Sequence, residues 1–212
     1  MKVITSLKTQ KRNPSRVNVF IDDQYAFAVR LIDAAILKPG QQLSESEISR
    51  LKNEDESYNA HRTAIRFLSY RARSQKEIER HLVRKKFSPE IIGLTVDRLR
   101  DEKHLDDLKF ARTWLNSRVQ RKPASRSVLG FELKQKGVDA VVIKEVLIDF
   151  ADNELARICA KKKLRLWGDL NRKDFKKKML IHLKRRGFNY ETSLAAYTYA
   201  ESLIRPAAHP DS

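Results

Sequence analysis

The most regular feature of the hydrophobic pattern is a repeat. Leu82, Leu133 and Leu183 lie 51 and 50 residues apart. Each has an apolar residue four positions earlier (Ile78, Leu129, Met179) and another five positions later (Phe87, Val138, Phe188). The next residue is Ser88, Asp139 or Asn189, a side chain that accepts from the free amides at a helix start. The i, i+4 spacing followed by a cap predicts two helices joined by a tight turn in each copy, and a recurrence at this period is the mark of stacked structural repeats. Gly137 and Gly187 stand where helices ending near Gln135 and Arg185 need a left-handed residue. The first copy has Lys86 at that place, so its turn is expected to close less cleanly. Pro89 follows Ser88 at the first helical position, where its missing N–H costs nothing. In the third copy Ser193 replaces the apolar staple partner supplied by Ile92 and Ile143.

A further helix precedes each pair. Ala64, Ala111 and Ala156 each lie seven residues before a basic residue, Arg71, Arg118 or Lys163, and apolar stripes accompany them (Ile65, Phe67, Leu68; Trp114, Leu115, Val119; Ile158, Cys159, Leu164). A single three-helix module of this size cannot bury its stripes alone, so neighbours must stack, and the expectation is an elongated array. Residues 1–30 differ: VITSL, RVNVFID and YAFAV are short β-branched or aromatic runs separated by polar turns. They predict a small three-stranded antiparallel sheet leaning on the first helices. Residues 31–53 read as helix, a Pro39-Gly40 break, and a short helix with a Ser44/Glu47 capping box; Ser74 and Glu77 form another. The fold class is therefore mostly α, tandem three-helix repeats with a small N-terminal β element. The expected divisions are 1–53, then modules at 54–105, 106–152 and 153–205, then a frayed Pro/Ala-rich tail at 206–212.

Charge changes this picture from a scaffold to a binding protein. The chain has 44 Lys and Arg against 27 Asp and Glu, a formal net charge of +17, which calls for an anionic partner. The surplus concentrates in module three, in three runs: Lys161, Lys162 and Lys163 with Arg165; Lys176, Lys177 and Lys178; and Lys184, Arg185 and Arg186. Lysines at a helix C-terminus complement its dipole, which accounts for the first and third runs structurally but not for the second, near a helix start. The helices after each turn, IIGLTVDRL and VVIKEVLIDF, are too apolar and acidic to read a DNA groove, so sequence-specific readout is not expected.

No catalytic constellation emerges. The five histidines are scattered, none of the six glycines sits in a phosphate-cradling motif, and nothing at metal-ligand spacing is present, so neither metal nor cofactor is expected. Asp106-Asp107 precedes an apolar run and reads as a helix cap rather than a metal or acid/base site. Trp114 lies on an apolar stripe and reads as core; Trp167, in a polar loop between basic runs, is the better candidate for stacking on a base. The single cysteine, Cys159, falls on an apolar face, reads as buried packing, and suits a reducing cytosol. Without a membrane-length apolar run or a signal-peptide core the reading is a cytoplasmic monomer.

Taken together, Leu68, Arg71, the run RSQKEIERHL after Ala72, Leu105-Asp106-Asp107 with Phe110-Ala111, Arg118, Glu132-Leu133 with Lys136-Gly137-Val138, and Arg186-Gly187-Phe188 resemble the RecX family of recombinase regulators over about residues 55–200. The resemblance implies tandem three-helix repeats, no enzymatic activity, and binding to the RecA–DNA filament, in whose groove family members are thought to restrain strand exchange and the coprotease role. It also implies DNA binding in some members. Contacts would come from module three and from Arg71, Arg73, Arg118, Arg121 and Lys122. The alternative is a sequence-independent binder of single- or double-stranded DNA that acts without the recombinase; a nuclease would need clustered carboxylates that are not there.

Overall fold

The structure is a computed structural model that describes residues 1–205; the tail expected at 206–212 lies outside the described residues. Three strands, β1 (Lys2–Gln10), β2 (Asn13–Ile21) and β3 (Gln24–Arg30), lead into the four-residue helix α1 (Leu31–Ala34). A fourth strand, β4 (Gln42–Leu43), joins the sheet, whose antiparallel order is β3-β2-β1-β4. It has only two residues, too few for an alternating pattern to reveal. Asp22 and Asp23, with φ of 49° and 61°, form the two-residue connection between β2 and β3, the geometry that matches strand twist. Alternation then sends Val17, Val19 and Ile21 to the buried face with Phe27 and Val29.

Helices follow in order: α2 (Glu45–Tyr70), α3 (Gln75–Arg84), α4 (Pro89–Asp101), α5 (Asp107–Arg121), α6 (Arg126–Gln135), α7 (Ala140–Val146), α8 (Asp152–Trp167), α9 (Arg172–Arg185) and α10 (Tyr190–Ile204). The short helix expected after Ser44 and the first helix of module one are a single 26-residue helix, because no breaker intervenes once the Ser44/Glu47 box has opened it. Its start joins the sheet's core through Ile48 and Leu51. Arg16 of β2 donates to both carboxylate oxygens of Asp55 at 2.9 and 2.7 Å and to Asn59 at 3.2 Å, a largely buried tie between sheet and helix.

The chain divides into two compact units: Met1–Ala72 with Ile78–Leu105, and Arg73–Glu77 with Asp106 onward. In the first, the helical core contains Ala60, Ala64, Ile78, Leu82, Ile92 and Leu99. In the second, residues from α5 through α10 form one continuous core, including Ala111, Leu115, Leu129, Leu133, Ala156, Met179 and Leu183. The three aligned leucines, the residues four before them and the three alanines are all completely buried.

Each repeat turn has the same geometry. Ser88, Asp139 and Asn189 accept from the amides of Ile91, Val141 and Thr192. The preceding residue closes the helix behind it: Phe87, Val138 and Phe188 donate to the carbonyls of Leu82, Leu133 and Leu183 at 3.3, 3.2 and 3.2 Å. Gly137 and Gly187 have φ of 81° and 86°. Lys86 adopts φ 67° and makes the same bonds, so the expectation of a less cleanly closed first turn is not met; the helix end imposes the left-handed conformation even on a lysine. Ser193 is buried as the staple position demands, its hydroxyl without a hydrogen-bond partner among the described residues.

Glycine is needed at 137 and 187 for a second reason. A Cβ at Gly137 would overlap Lys76 Cβ, and one at Gly187 would lie 2.5 Å from Val128 Cγ2 and 2.6 Å from Ser125 Oγ. Lys86→Gly is expected to raise the urea midpoint, by up to about 1 kcal/mol of relieved strain. Gly137→Ala and Gly187→Ala are expected to lower it through a destabilisation of about 2 kcal/mol or more, since strain and steric overlap combine.

Candidate polyanion interface

The basic runs of module three lie on helices whose opposite faces are fixed by burial. On α9, Phe175, Met179 and Leu183 point inward at four-residue intervals, leaving Lys176, Lys177, Lys178, Lys184 and Arg185 exposed. On α8, Leu155, Ala156, Cys159 and Ala160 are buried, while Lys161, Lys162 and Arg165 are exposed and Lys163 is half-buried. Asn171 caps α9 through the Asp174 amide, so Lys176–Lys178 fall in its second turn.

Two of the three runs converge. Cys159 Sγ and His182 Nε2 are 3.3 Å apart where α8 meets α9. The Cys159 thiol senses Arg186, Lys163 and Lys162, and the His182 imidazole senses Lys163, Arg186 and Arg185. Lys178 lies one helical turn before His182 and so falls on the same edge. The Lys162 ammonium donates to the carbonyl of Gln120, adjacent to the exposed Arg121 and Lys122 at the end of α5. Lys176 instead lies 5.6 Å from the Tyr197 ring on α10, so the second run is divided and only Lys178 falls on the His182 edge. None of the module-three candidates, nor Arg121 or Lys122, forms an ion pair among the described residues. The cations that do have anionic partners are different ones: Arg172 and Arg205 both hold Glu201, whose carboxyl is pulled below its usual range by the Tyr197 hydroxyl and then by Arg172.

The remaining candidates are engaged within the fold. Arg118 donates twice to Glu132, both bonds 2.7 Å, and is largely buried. Arg73 is largely buried beside Glu77 at 3.8 Å, and the exposed Arg71 donates to the Ala72 carbonyl at 2.9 Å. Asp106 caps its own helix, accepting from the Lys109 amide. Asp107 instead accepts from the Gln75 amide at 2.8 Å, and Asp152 repeats this with Arg126 at 2.7 Å. These are caps given to a helix by a residue far along the chain. Trp167 is the last residue of α8, not a loop residue; it is half-buried, edge-on to His182 at 5.4 Å, with Lys163 above it at 5.3 Å.

Register adds a pattern that the basic runs concealed. Three residues beyond each aligned leucine stand Lys85, Lys136 and Arg186, a second basic series beside Arg71, Arg118 and Lys163. The residue just before each leucine is His81, Glu132 or His182, and its counterparts on the preceding helix are Phe67, Trp114 and Cys159. Phe67 and His81 stack at 3.9 Å; His182 meets Cys159; between them in sequence, Glu132 takes Arg118 while Lys136 covers Trp114 at 5.4 Å.

Burial, and then the nearby cations, push the His182 pKa down to about 4; burial likewise pushes the Cys159 thiol up. Because the folded His182 binds its proton less readily than the unfolded one, it contributes stability that is complete above pH 6.5 and is lost as pH falls towards about 4. Partial solvent screening leaves about 2 kcal/mol of that effect. His182→Gln is expected to remove this share of the difference between urea midpoints at pH 7 and pH 4.5; an unchanged difference would show that His182 is not desolvated.

The chain matches three family models in order: the regulatory protein RecX N-terminal domain at residues 2–44, the RecX first three-helix domain at 60–99 and the RecX second three-helix domain at 106–147. It is 36% identical over 209 residues to the regulatory protein RecX of Bacillus subtilis strain 168, covering 95% of this chain and 78% of that one. With the regulatory protein RecX of Listeria monocytogenes serotype 4a it shares 29% identity over 213 residues, or 98% and 79% of the two chains. A crystal structure of regulatory protein RecX superposes with a TM-score of 0.64 at 24% identity, covering 91% of this chain and 97% of the other. RecX from Lactobacillus salivarius gives 0.60 at 20% identity, covering 70% and 98%; both share the fold.

Proposed function

The chain belongs to the RecX family of regulatory proteins, and on that premise we propose that it acts by binding alone, engaging the DNA-bound filament of the RecA recombinase. Lodged in the filament groove, it restrains ATP hydrolysis, strand exchange and the coprotease role, and so acts in homologous recombination, DNA repair and the SOS response. Its setting is the cytoplasm, and it works as a monomer without cofactor or metal. No helix among the described residues is long and apolar enough to cross a membrane.

The observation that carries this reading is the group of uncompensated cations around the α8–α9 contact. Lys162, Lys163, Arg185 and Arg186 converge there, Arg121 and Lys122 lie alongside, and none has a carboxylate partner among the described residues. Like charges gathered on a rigid edge repel one another, and a polyanion relieves that repulsion. Acidic protein walls and phosphates both qualify, and a nucleoprotein filament offers the two together. The same property favours the second reading, sequence-independent binding to naked DNA, whose affinity would fall steeply with salt as counterions are released.

Added to preformed filaments, the protein is expected to suppress ATP hydrolysis; unaltered hydrolysis at saturating protein overturns the proposal. The Lys162→Glu/Arg185→Glu double variant is expected to need about tenfold more protein for half-suppression. Lys176→Glu, on the side of α9 that faces Tyr197, is expected to change it far less. If the double variant instead loses naked-DNA affinity while filament suppression is retained, the second reading prevails.

A further inference from the structure

The first unit holds a cleft of about 480 Å³ between the C-terminal ends of α2 and α3. Its floor is aromatic: Phe67 stacked on His81 with ring planes 7° apart, and Phe87 packed against the core beside them. Tyr70, the last residue of α2, stands at the rim with 72% of its surface exposed and its ring paired with no other among the described residues. Arg66 and Lys85 add positive charge, and neither makes an ion pair among the described residues. Among the described residues no acidic side chain lines the cleft.

Phe67 and Phe87 are explained by packing. Tyr70 is not, because a ring so exposed contributes little to the core. Register sharpens the point. The positions matching Tyr70 in the other repeats are Ser117 and Lys162, whereas the position of Lys85 is basic in all three. The charge thus belongs to the repeat, and the exposed ring is peculiar to the first copy. A cation alone suffices for phosphate or for a carboxylate-rich protein surface. A free aromatic face beside two unpaired cations and no anions suits a planar ring on a polyanionic chain.

We propose that this cleft takes an unstacked base of single-stranded DNA, with Tyr70 stacking on the base and Arg66 and Lys85 meeting the flanking phosphates. This rests on the reading that the chain engages nucleic acid, and it adds a base contact on the first unit to the charge contact on module three.

The test uses the full chain and no recombinase. Binding is measured by anisotropy at fixed salt for a labelled oligothymidine and for a strand of equal length carrying abasic sugars, so that the phosphate number is the same. The parent is expected to prefer the base-bearing strand by about tenfold or more, within the range of one stacked base. Tyr70→Ala is expected to abolish the preference while leaving affinity for the abasic strand unchanged, and Tyr70→Phe to restore it. Equal affinity of the parent for both strands, or an undiminished preference in Tyr70→Ala, overturns the proposal. Filament suppression, scored separately, distinguishes the failures. Suppression without a base preference sinks only this inference; a base preference without suppression sinks only the filament reading.

Discussion

A single left-handed residue at each repeat turn governs the architecture. It lets the helix carbonyls be satisfied by the next amides, and it sets the following residue where a cap can start the next helix. In the second unit it also brings the turn onto the start of an earlier helix. Gly137 lies against Lys76, and the Ser74 hydroxyl donates to the Lys136 carbonyl; Gly187 lies against Ser125 and Val128, and the Ser125 amide donates to the Arg186 carbonyl. Asp107 and Asp152 complete the same junctions by capping Gln75 and Arg126. The spacing of some fifty residues is therefore held by backbone geometry and reciprocal capping, and the buried leucines fill the space so defined.

Within that frame one helix crossing is built three times with different chemistry. Phe67 stacks on His81 and Cys159 faces His182 at equivalent register, whereas in the second copy Glu132 pairs with Arg118, four residues beyond the equivalent Trp114. The second solution neutralises its cation internally. The third leaves Lys163 near a neutral imidazole whose protonation it opposes, so its charge remains directed outward. The first sets an aromatic surface beside its cations. A repeat fold permits this because each crossing needs only shape compatibility, while polar character at its edge is left to vary.

The elements most legible in the sequence were those fixed by local chemistry. The caps at Ser44, Ser88, Asp139 and Asn189, the glycines at 137 and 187, and the buried series through Leu82, Leu133 and Leu183 follow from propensity and period, and they establish the tandem three-helix class. What escaped depends on partners distant along the chain. β4 is two residues recruited by an edge, and α2 continues because its break was never encoded. Asp107 caps a helix 32 residues earlier, and Arg118 finds its carboxylate on another helix; neither partner is periodic. The clean turn at Lys86 is not legible from propensity alone, which underrates how firmly a helix end dictates the next dihedral angle. The basic runs are visible as runs, but which of their cations converge on His182 and which, like Lys176, lie apart depends on the placement of α8 and α9.

The chain's one thiol is shut away beneath the cationic edge, 2% exposed and held by burial in its protonated form. Alkylating reagents therefore meet an essentially unreactive background. A cysteine introduced at Lys184 or at Tyr70 would be the sole site of conjugation, so fluorophores or photo-crosslinkers could be attached one position at a time. The native molecule thus already serves as its own cysteine-silent scaffold for mapping, residue by residue, what passes over its surface.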